Sequence, residues 1–463
     1  MMSTSKFPGL ILFSLLLCSC GMGRGEVETE TVVEESPEKE LYIPEEVYRV
    51  PAGNDYTDNE SDYSFERMAE SENFALFWHK EYGQDPSVNQ NENKTFDVDS
   101  VLAVSEIVYD TYVNDLKIVD KGNSVTDKYK LLIYVFGGDE GTAFGGGEED
   151  KVGILWTNAT RINKPPYGVI AHEIAHSFQY LSRADAGTGP RGPIGEMSAQ
   201  YMLWHVYPEW MTFENYHLKD FMDKTHYAFL HPTNMYHSPY VLEYWSGKHG
   251  KDFFGKLSRA TQEGEDVVMT YKRLNNLSQK EFNDEMFDAV RRFITWDLPR
   301  IEEVASPYAN QHKSTMVDAG DGWYKIAPAH APQNYGYNGI QLQVPSAGTE
   351  VELEFKGIPG AEGYSSVKTD QAGWRYGFVA SLSDGSRVYG DVHRDVEDRV
   401  SFEVPKNTEY LWLVVMGAPT EHWPRPRRSR NASEDEFPEE AWPYKIRLKG
   451  TSLGDSVTIK HQV

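Results

Sequence analysis

From Phe65 onward, hydrophobic and polar residues follow the periodicities of strands and helices. Three apolar runs have the length and composition of buried strands: residues 74–78, 130–136 and 152–157. Apolar residues recur at helical spacing over residues 98–116, and further helices are predicted at 167–182, 194–206, 239–249 and 279–295. Strands followed by helices predict an α+β domain, which we assign to residues 63–305.

A second pattern begins near Ser306, where short β-rich segments are separated by Gly, Pro and Asp. The segments are residues 339–344, 350–355, 375–382, 400–404 and 410–415. Such spacing is typical of an all-β sandwich of the jelly-roll kind, which we assign to residues 306–463. The predicted fold class is therefore α+β: a mixed sheet with a helical lobe, followed by an all-β domain.

The first nineteen residues predict a secretory signal that does not belong to the fold. Lys6 precedes an apolar run, residues 10–17, which is too short to cross a bilayer. The run ends in Leu17-Cys18-Ser19-Cys20, which resembles the lipobox of bacterial lipoproteins. That resemblance implies cleavage after Ser19 and attachment of acyl chains such as palmitate to Cys20. A plain signal peptide cut nearby is the alternative.

Residues 20–62 are rich in Asp and Glu and carry no apolar periodicity. They predict an acidic flexible tether, with a binding tail as the alternative. Neither Gly21 nor Met22 is the Asp that retains lipoproteins in the inner membrane. We therefore expect a membrane-anchored protein on the outer membrane of a Gram-negative cell, facing either the periplasm or the outside.

Composition narrows the classes of partner and of metal site. The 463 residues include 45 Lys and Arg against 71 Asp and Glu, which gives a net charge of −26. A nucleic-acid partner is not expected, because phosphate contacts need clustered basic residues. The two cysteines, Cys18 and Cys20, both lie near the N-terminus. The rest of the chain therefore has neither a disulfide framework nor a cysteine-ligated zinc site.

The segment His172-Glu173-Ile174-Ala175-His176 matches H-E-x-x-H. On a helix, residues i and i+4 share one face, so both imidazoles can reach one metal ion. The glutamate between them can then take a proton from the water that the metal activates. The alternative is a buried helix with two hydrogen-bonded histidines. Burying two histidines and a glutamate on so apolar a helix is costly without a partner, which favours a metal.

Glu196 is the candidate third ligand. Zinc held by two histidines needs one more protein ligand and an open position for water. Glu196 lies at the start of the next predicted helix, and the glycines and prolines before it allow the chain to reverse. The alternative is a first-turn glutamate that interacts only with the dipole of its own helix.

These residues resemble the gluzincin metallopeptidases. H-E-x-x-H, then nineteen residues, then Glu is the thermolysin-like spacing, and residues 171–180 and 195–200 also resemble a group of secreted bacterial proteins of poorly defined function. The resemblance covers residues 65–300. It implies that His172, His176 and Glu196 bind one zinc ion (Zn²⁺) and that Glu173 is the general base. It also implies that the substrate is an extracytoplasmic protein or peptide.

The chain departs from the thermolysin pattern four residues after Glu196, where Gln200 replaces an Asp. Gln200 can still hydrogen-bond a ligand histidine, with less charge support. For the developing oxyanion, residues 231–240 offer His237, then Tyr240 and Tyr236, in that order of preference. The glycine-rich residues 137–147 lack a phosphate-binding pattern and predict a mobile loop beside the substrate cleft.

Two functions are compatible with these residues. The first is a lipid-anchored zinc metallohydrolase, a peptidase with Glu173 as its base. The second is a non-catalytic surface lipoprotein with a structural or vestigial zinc site, whose β domain binds a glycan or a protein. Four aromatic residues of the β domain could stack on sugar rings or could simply be core residues: Trp374, Tyr376, Tyr389 and Trp412. The intact Glu173 favours the first function.

Overall fold

The computed structural model describes residues 38–236, 239–425 and 438–461. Its strands and helices confirm the mixed α+β class predicted from the sequence. The predicted signal and Cys20 lie outside the described residues. Among the residues that are described, no helix combines the length and the apolar character that crossing a membrane requires.

The first part of the fold is a five-stranded sheet. Its strands are β1 (Met68–Glu70), β2 (Phe74–Trp78), β3 (Leu131–Val135), β4 (Ala143–Glu148) and β5 (Val152–Thr157). They lie in the order β1-β2-β3-β5-β4. β2, β3 and β5 are parallel and buried along their length, which explains their unbroken apolar sequences. β4 is antiparallel to β5 and forms one edge.

The helices of the described residues are α1 (Val98–Asp110), α2 (Gly168–Ala186), α3 (Ile194–Val206), α4 (Trp210–Phe213), α5 (Asn215–Asp223), α6 (Tyr240–His249), α7 (Phe253–Ala260), α8 (Val267–Leu274), α9 (Gln279–Phe293) and α10 (Glu302–Ala305). Of these, α1 and α2 pack directly on one face of this sheet, and the others pack around them or against the second part of the fold. Leu76 and Ile133 of the sheet belong to the same buried cluster as Ile174 of α2. The strands and longer helices therefore lie where the periodicity predicts them.

Residues 39–62 differ from the flexible tether predicted for residues 20–62. The Glu40 amide donates to the Lys128 carbonyl at 2.9 Å, and the Lys130 amide donates back to Glu40 at 3.0 Å. Val47 is buried in the cluster on the second face of the sheet, and Leu41 and Tyr56 pack beside it. The tether prediction is wrong for this part, because scattered apolar residues among the acidic ones cover a sheet face that the helices leave open.

The second part of the fold contains two further sheets. Its strands are β6 (Ser314–Asp318), β7 (Trp323–Ile326), β8 (Tyr337–Leu342), β9 (Glu350–Gly357), β10 (Trp374–Leu382), β11 (Arg387–Tyr389), β12 (Glu397–Glu403), β13 (Thr408–Gly417), β14 (Tyr444–Lys449) and β15 (Val457–Lys460). The sheet orders are β11-β10-β13-β8 and β12-β9-β14-β7-β6-β15. Residues of both sheets form one buried cluster that includes Ile340, Phe355 and Leu413.

The four aromatic residues considered for sugar stacking are structural. Trp374, Tyr376 and Trp412 are each 0% exposed. Tyr389 donates its hydroxyl hydrogen to Asp297 at 2.6 Å, and the Arg291 guanidinium lies 4.8 Å from its ring. The first three rings therefore present no face to a glycan, and Tyr389 is a partly buried residue held by contacts with Asp297 and Arg291.

Candidate metal centre

Helix α2 carries the H-E-x-x-H residues on its half-buried side. Its apolar side faces the core through Ile170, Ile174 and Phe178. The Ser177 hydroxyl donates to the Ile154 carbonyl of β5 at 2.9 Å, which fixes the helix against the sheet. The helix ends at Gly187, whose φ of 72° is the left-handed conformation that glycine adopts at helix C-termini. The chain then reverses into α3.

Three nitrogen and oxygen atoms from α2 and α3 meet in a nearly equilateral triangle. His172 Nε2 and His176 Nε2 each lie 3.2 Å from Glu196 Oε2, and the two nitrogens are 3.3 Å apart. Ligand atoms 2.0–2.1 Å from a tetrahedral zinc ion are about 3.3 Å from one another. The triangle therefore has the donor types and the size of one face of a zinc tetrahedron.

Glu173 lies beside this triangle of ligand atoms but does not contribute an atom to it. Ligand atoms of His172, Glu173 and His176 all lie within 4.8 Å of one another. The two histidines thus lie close both to Glu173 and to Glu196. A set of three ligands with a further carboxylate beside it leaves room for a water molecule, which is the composition of a catalytic zinc site.

Electrostatics keep the Glu196 carboxylate ionised. Burial acts to raise its pKa, but hydrogen bonds from His172 and His176 outweigh this effect and hold the pKa far below the usual range. A carboxylate must be deprotonated to bind a metal, so Glu196 meets this condition at any physiological pH.

Gln179 accepts the hydrogen bond that orients His176. Its Oε1 lies 3.1 Å from His176 Nδ1, and its Nε2 donates to the Gly195 carbonyl at 2.8 Å. Gln200, the residue predicted for this role, is buried in α3, and among the described residues no hydrogen bond joins it to either histidine. Gln179 is three residues beyond His176 on the same helix, so helical spacing could have identified it.

Strand β4 lies directly on α2. A Cβ atom at Gly145 would lie 1.8 Å from the Glu173 carbonyl oxygen and 3.0 Å from the His176 Cβ. A Cβ at Gly147 would lie 2.3 Å from the Tyr180 ring. The glycine-rich segment is therefore an edge strand over residues 143–148 and not a mobile loop, because glycine alone permits so close an approach.

The three residues considered for the oxyanion have different positions. His237 lies outside the described residues. Tyr240 is 1% exposed, and its ring packs 4.6 Å from Trp296 in the core. The prediction for Tyr240 is wrong, because the first turn of α6 directs this side chain inward. Tyr236 is the residue at the site, with its ring 6.4 Å from that of His172.

Two further groups near the site were not predicted from the sequence. His217 of α5 lies with its ring 6.4 Å from that of Tyr236, and its Nε2 is 3.5 Å from Glu214 Oε2. The same carboxylate accepts a hydrogen bond from Trp210 Nε1 at 2.8 Å. Burial acts to raise the pKa of Glu214, but the bonds from His217 and Trp210 outweigh it and lower the pKa. The i, i+3 spacing of Glu214 and His217 is the sequence signal that could have identified this pair.

Comparison with known sequences places the chain in a family. No curated protein is similar to it in sequence. A protein-family model matches residues 33–455, which include the candidate metal centre and most of both parts of the fold. The chain therefore belongs to the family of unknown function DUF6055.

Proposed function

We propose that this protein is a zinc-dependent hydrolase and that its substrate is a peptide. The observation that carries the proposal is the triangle of His172, His176 and Glu196, with sides of 3.2–3.3 Å. Two neutral imidazoles and a carboxylate are common zinc ligands, and three protein ligands leave one position for water. The mixed sheet and the two helices that supply the ligands support the gluzincin-like interpretation of the first domain.

Glu173 is the general base in this proposal. Bound zinc supplies Lewis-acid activation of water and of the substrate carbonyl. The Glu173 carboxylate accepts the proton of the attacking water and then delivers it to the leaving amine. Its place between the two histidines of α2 puts it within the same 4.8 Å cluster.

The open edge of β4 supports an extended peptide as the substrate. The Asn158 backbone amide donates to the Thr142 carbonyl at 3.3 Å, so these two residues form a hydrogen-bonded pair just before β4. Because such pairs recur at every second residue of an antiparallel ladder, Phe144, Gly146 and Glu148 also bond to β5. Ala143, Gly145 and Gly147 then direct their amides and carbonyls away from the sheet. A peptide that pairs with them would run alongside α2, next to Glu173 and His176.

Tyr236 and His217 are the candidates for oxyanion stabilisation. The Tyr236 ring lies 6.4 Å from those of both His172 and His217, and burial together with the nearby Glu196 raises the pKa of Tyr236 to about 12. A protonated tyrosine hydroxyl is a hydrogen-bond donor. Donors that meet an oxyanion only in the transition state accelerate the reaction without tightening substrate binding.

Peptide hydrolysis with and without metal tests the proposal. The full chain, purified in mild detergent, is incubated with a mixture of fluorescence-quenched peptides. We expect cleavage that 1,10-phenanthroline abolishes and that added zinc restores, since the ligand set has no other means of activating water. Cleavage that persists in the chelator would assign the reaction to another site, and absence of cleavage in the zinc-loaded protein would remove the peptidase proposal.

We also propose that the protein is a lipoprotein anchored through Cys20 and that its second part is a β-sandwich. The sandwich is supported by the cluster that both sheets share. The anchor is supported by the sequence Leu17-Cys18-Ser19-Cys20. In cells fed an alkyne analogue of palmitate, we expect label on the wild type and none on Cys20→Ser. Equal labelling of the two would contradict the anchor.

A further inference from the structure

Exposed aromatic side chains are concentrated beside the metal centre. Among the described residues, five Phe, Tyr or Trp side chains are exposed, and three of them belong to one short stretch of surface: Phe213 (62% exposed), Tyr216 (53%) and Tyr236 (37%). We call these three residues the aromatic flank. Isolated exposed aromatics are ordinary, but a contiguous set next to a cluster of candidate catalytic residues is typical of a binding surface.

A continuous series of rings joins the aromatic flank to the metal ligands. The Tyr236 ring lies 6.4 Å from the His172 ring at an interplanar angle of 30°. The Tyr236 ring also lies 6.4 Å from that of His217, whose ring is 4.0 Å from that of Tyr216. The flank therefore begins with Tyr236 beside His172 and reaches Tyr216 at the start of α5, and Phe213 lies three residues before Tyr216 at the end of α4.

Trp210 holds this part of the surface in place. It is buried, its ring lies 4.9 Å from that of Phe213, and its Nε1 donates to Glu214. A Cβ at Gly168, the first residue of α2, would lie 2.4 Å from the Trp210 ring. The short helix α4 is thus fixed against the start of α2. A flank held in this way is pre-organised, which lowers the entropic cost of binding a ligand.

We propose that the aromatic flank binds an aromatic side chain of the substrate, next to the bond that is cleaved. This inference rests on the proposed function and adds to it a preference for substrates with an aromatic side chain. Rings gain from stacking or edge-to-face contact beyond the burial of apolar area. A peptide paired along β4 would pass next to Glu173 and His176, and the exposed rings of the aromatic flank begin beside His172 on the same helix.

Hydroxamates of two amino acids provide a test that needs no turnover. L-Phenylalanine hydroxamate and L-alanine hydroxamate carry the same metal-binding group and differ only in the ring. We expect the phenylalanine compound to bind the zinc-loaded full chain about tenfold more tightly by calorimetry. In the double variant F213A/Y216A we expect the ratio to fall to about twofold or less.

Controls separate this inference from the proposed function. Phe65 is 45% exposed and packs against Phe77 on the opposite face of the sheet, so Phe65→Ala should keep the wild-type ratio. The variant F213L/Y216L serves if the alanine variant does not fold, and its ratio of the two hydroxamate affinities should be intermediate.

Equal binding of the two hydroxamates by the wild type would overturn the aromatic flank and leave the hydrolase proposal intact. A chain that binds no zinc would overturn both.

Discussion

Replacing Glu173 by Gln is expected to lower kcat/KM for peptide hydrolysis by roughly a thousandfold while the protein keeps its zinc. Gln has the shape of Glu but cannot accept a proton from water. Because Glu173 lies outside the triangle of His172, His176 and Glu196, the ligand set is unchanged. The measurement is the rate of peptide cleavage, with zinc per chain determined on the same samples.

Glu209→Gln is the matched control, since this exposed glutamate lies outside the cluster around the triangle. It should retain the wild-type rate within about twofold, as surface substitutions usually do. If Glu173→Gln hydrolysed peptides as fast as the wild type, Glu173 would not be the base. If it lost zinc, the glutamate would be a ligand and the assignment of Glu196 would need revision.

Adding a single methyl group at Gly145 is expected to disrupt the site. The Cβ of Gly145→Ala would lie 1.8 Å from the Glu173 carbonyl oxygen, so β4 must move away from α2. Overpacking of this kind typically costs about 1–3 kcal/mol of unfolding free energy, and displacement of a substrate-positioning element by about 1 Å can cost roughly a hundredfold in rate. Urea denaturation and peptide cleavage measure the two effects.

Gly146→Ala provides the neighbouring control on the same strand. Its Cβ would meet only the Trp156 ring, at 3.6 Å, which is ordinary van der Waals contact. We expect its unfolding free energy to stay within about 1 kcal/mol of the wild type. If the two variants behaved alike, the close packing of β4 on Glu173 would have no functional role.

The sequence predicts that His172, His176 and Glu196 lie close together because this proximity depends on local geometry. H-E-x-x-H needs only a helix to bring His172 and His176 together, and the apolar residues of α2 establish that helix. Glu196 needs one chain reversal, which Gly187 and the following glycines and prolines supply. Each step involves neighbours in sequence, so no long-range contact has to be known.

Other features depend on contacts that periodicity does not reveal. Whether Tyr236 or Tyr240 lies beside His172 depends on where α6 begins and on how Trp296 packs against Tyr240. The glycines of β4 resemble a loop until α2 is placed against them. Residues 39–62 resemble a tether because their apolar residues cover a sheet face that the sequence does not show to be open. In each case tertiary packing overrides the local pattern.

The amount of zinc per chain tests the central claim most directly. The full chain is purified in mild detergent without chelator or histidine tag, and its metal content is determined by mass spectrometry beside His176→Ala. We predict about one zinc ion per wild-type chain and almost none in the variant, since the loss of one of three ligands opens the site. A wild-type chain that remains free of zinc after incubation with zinc salts would contradict the account.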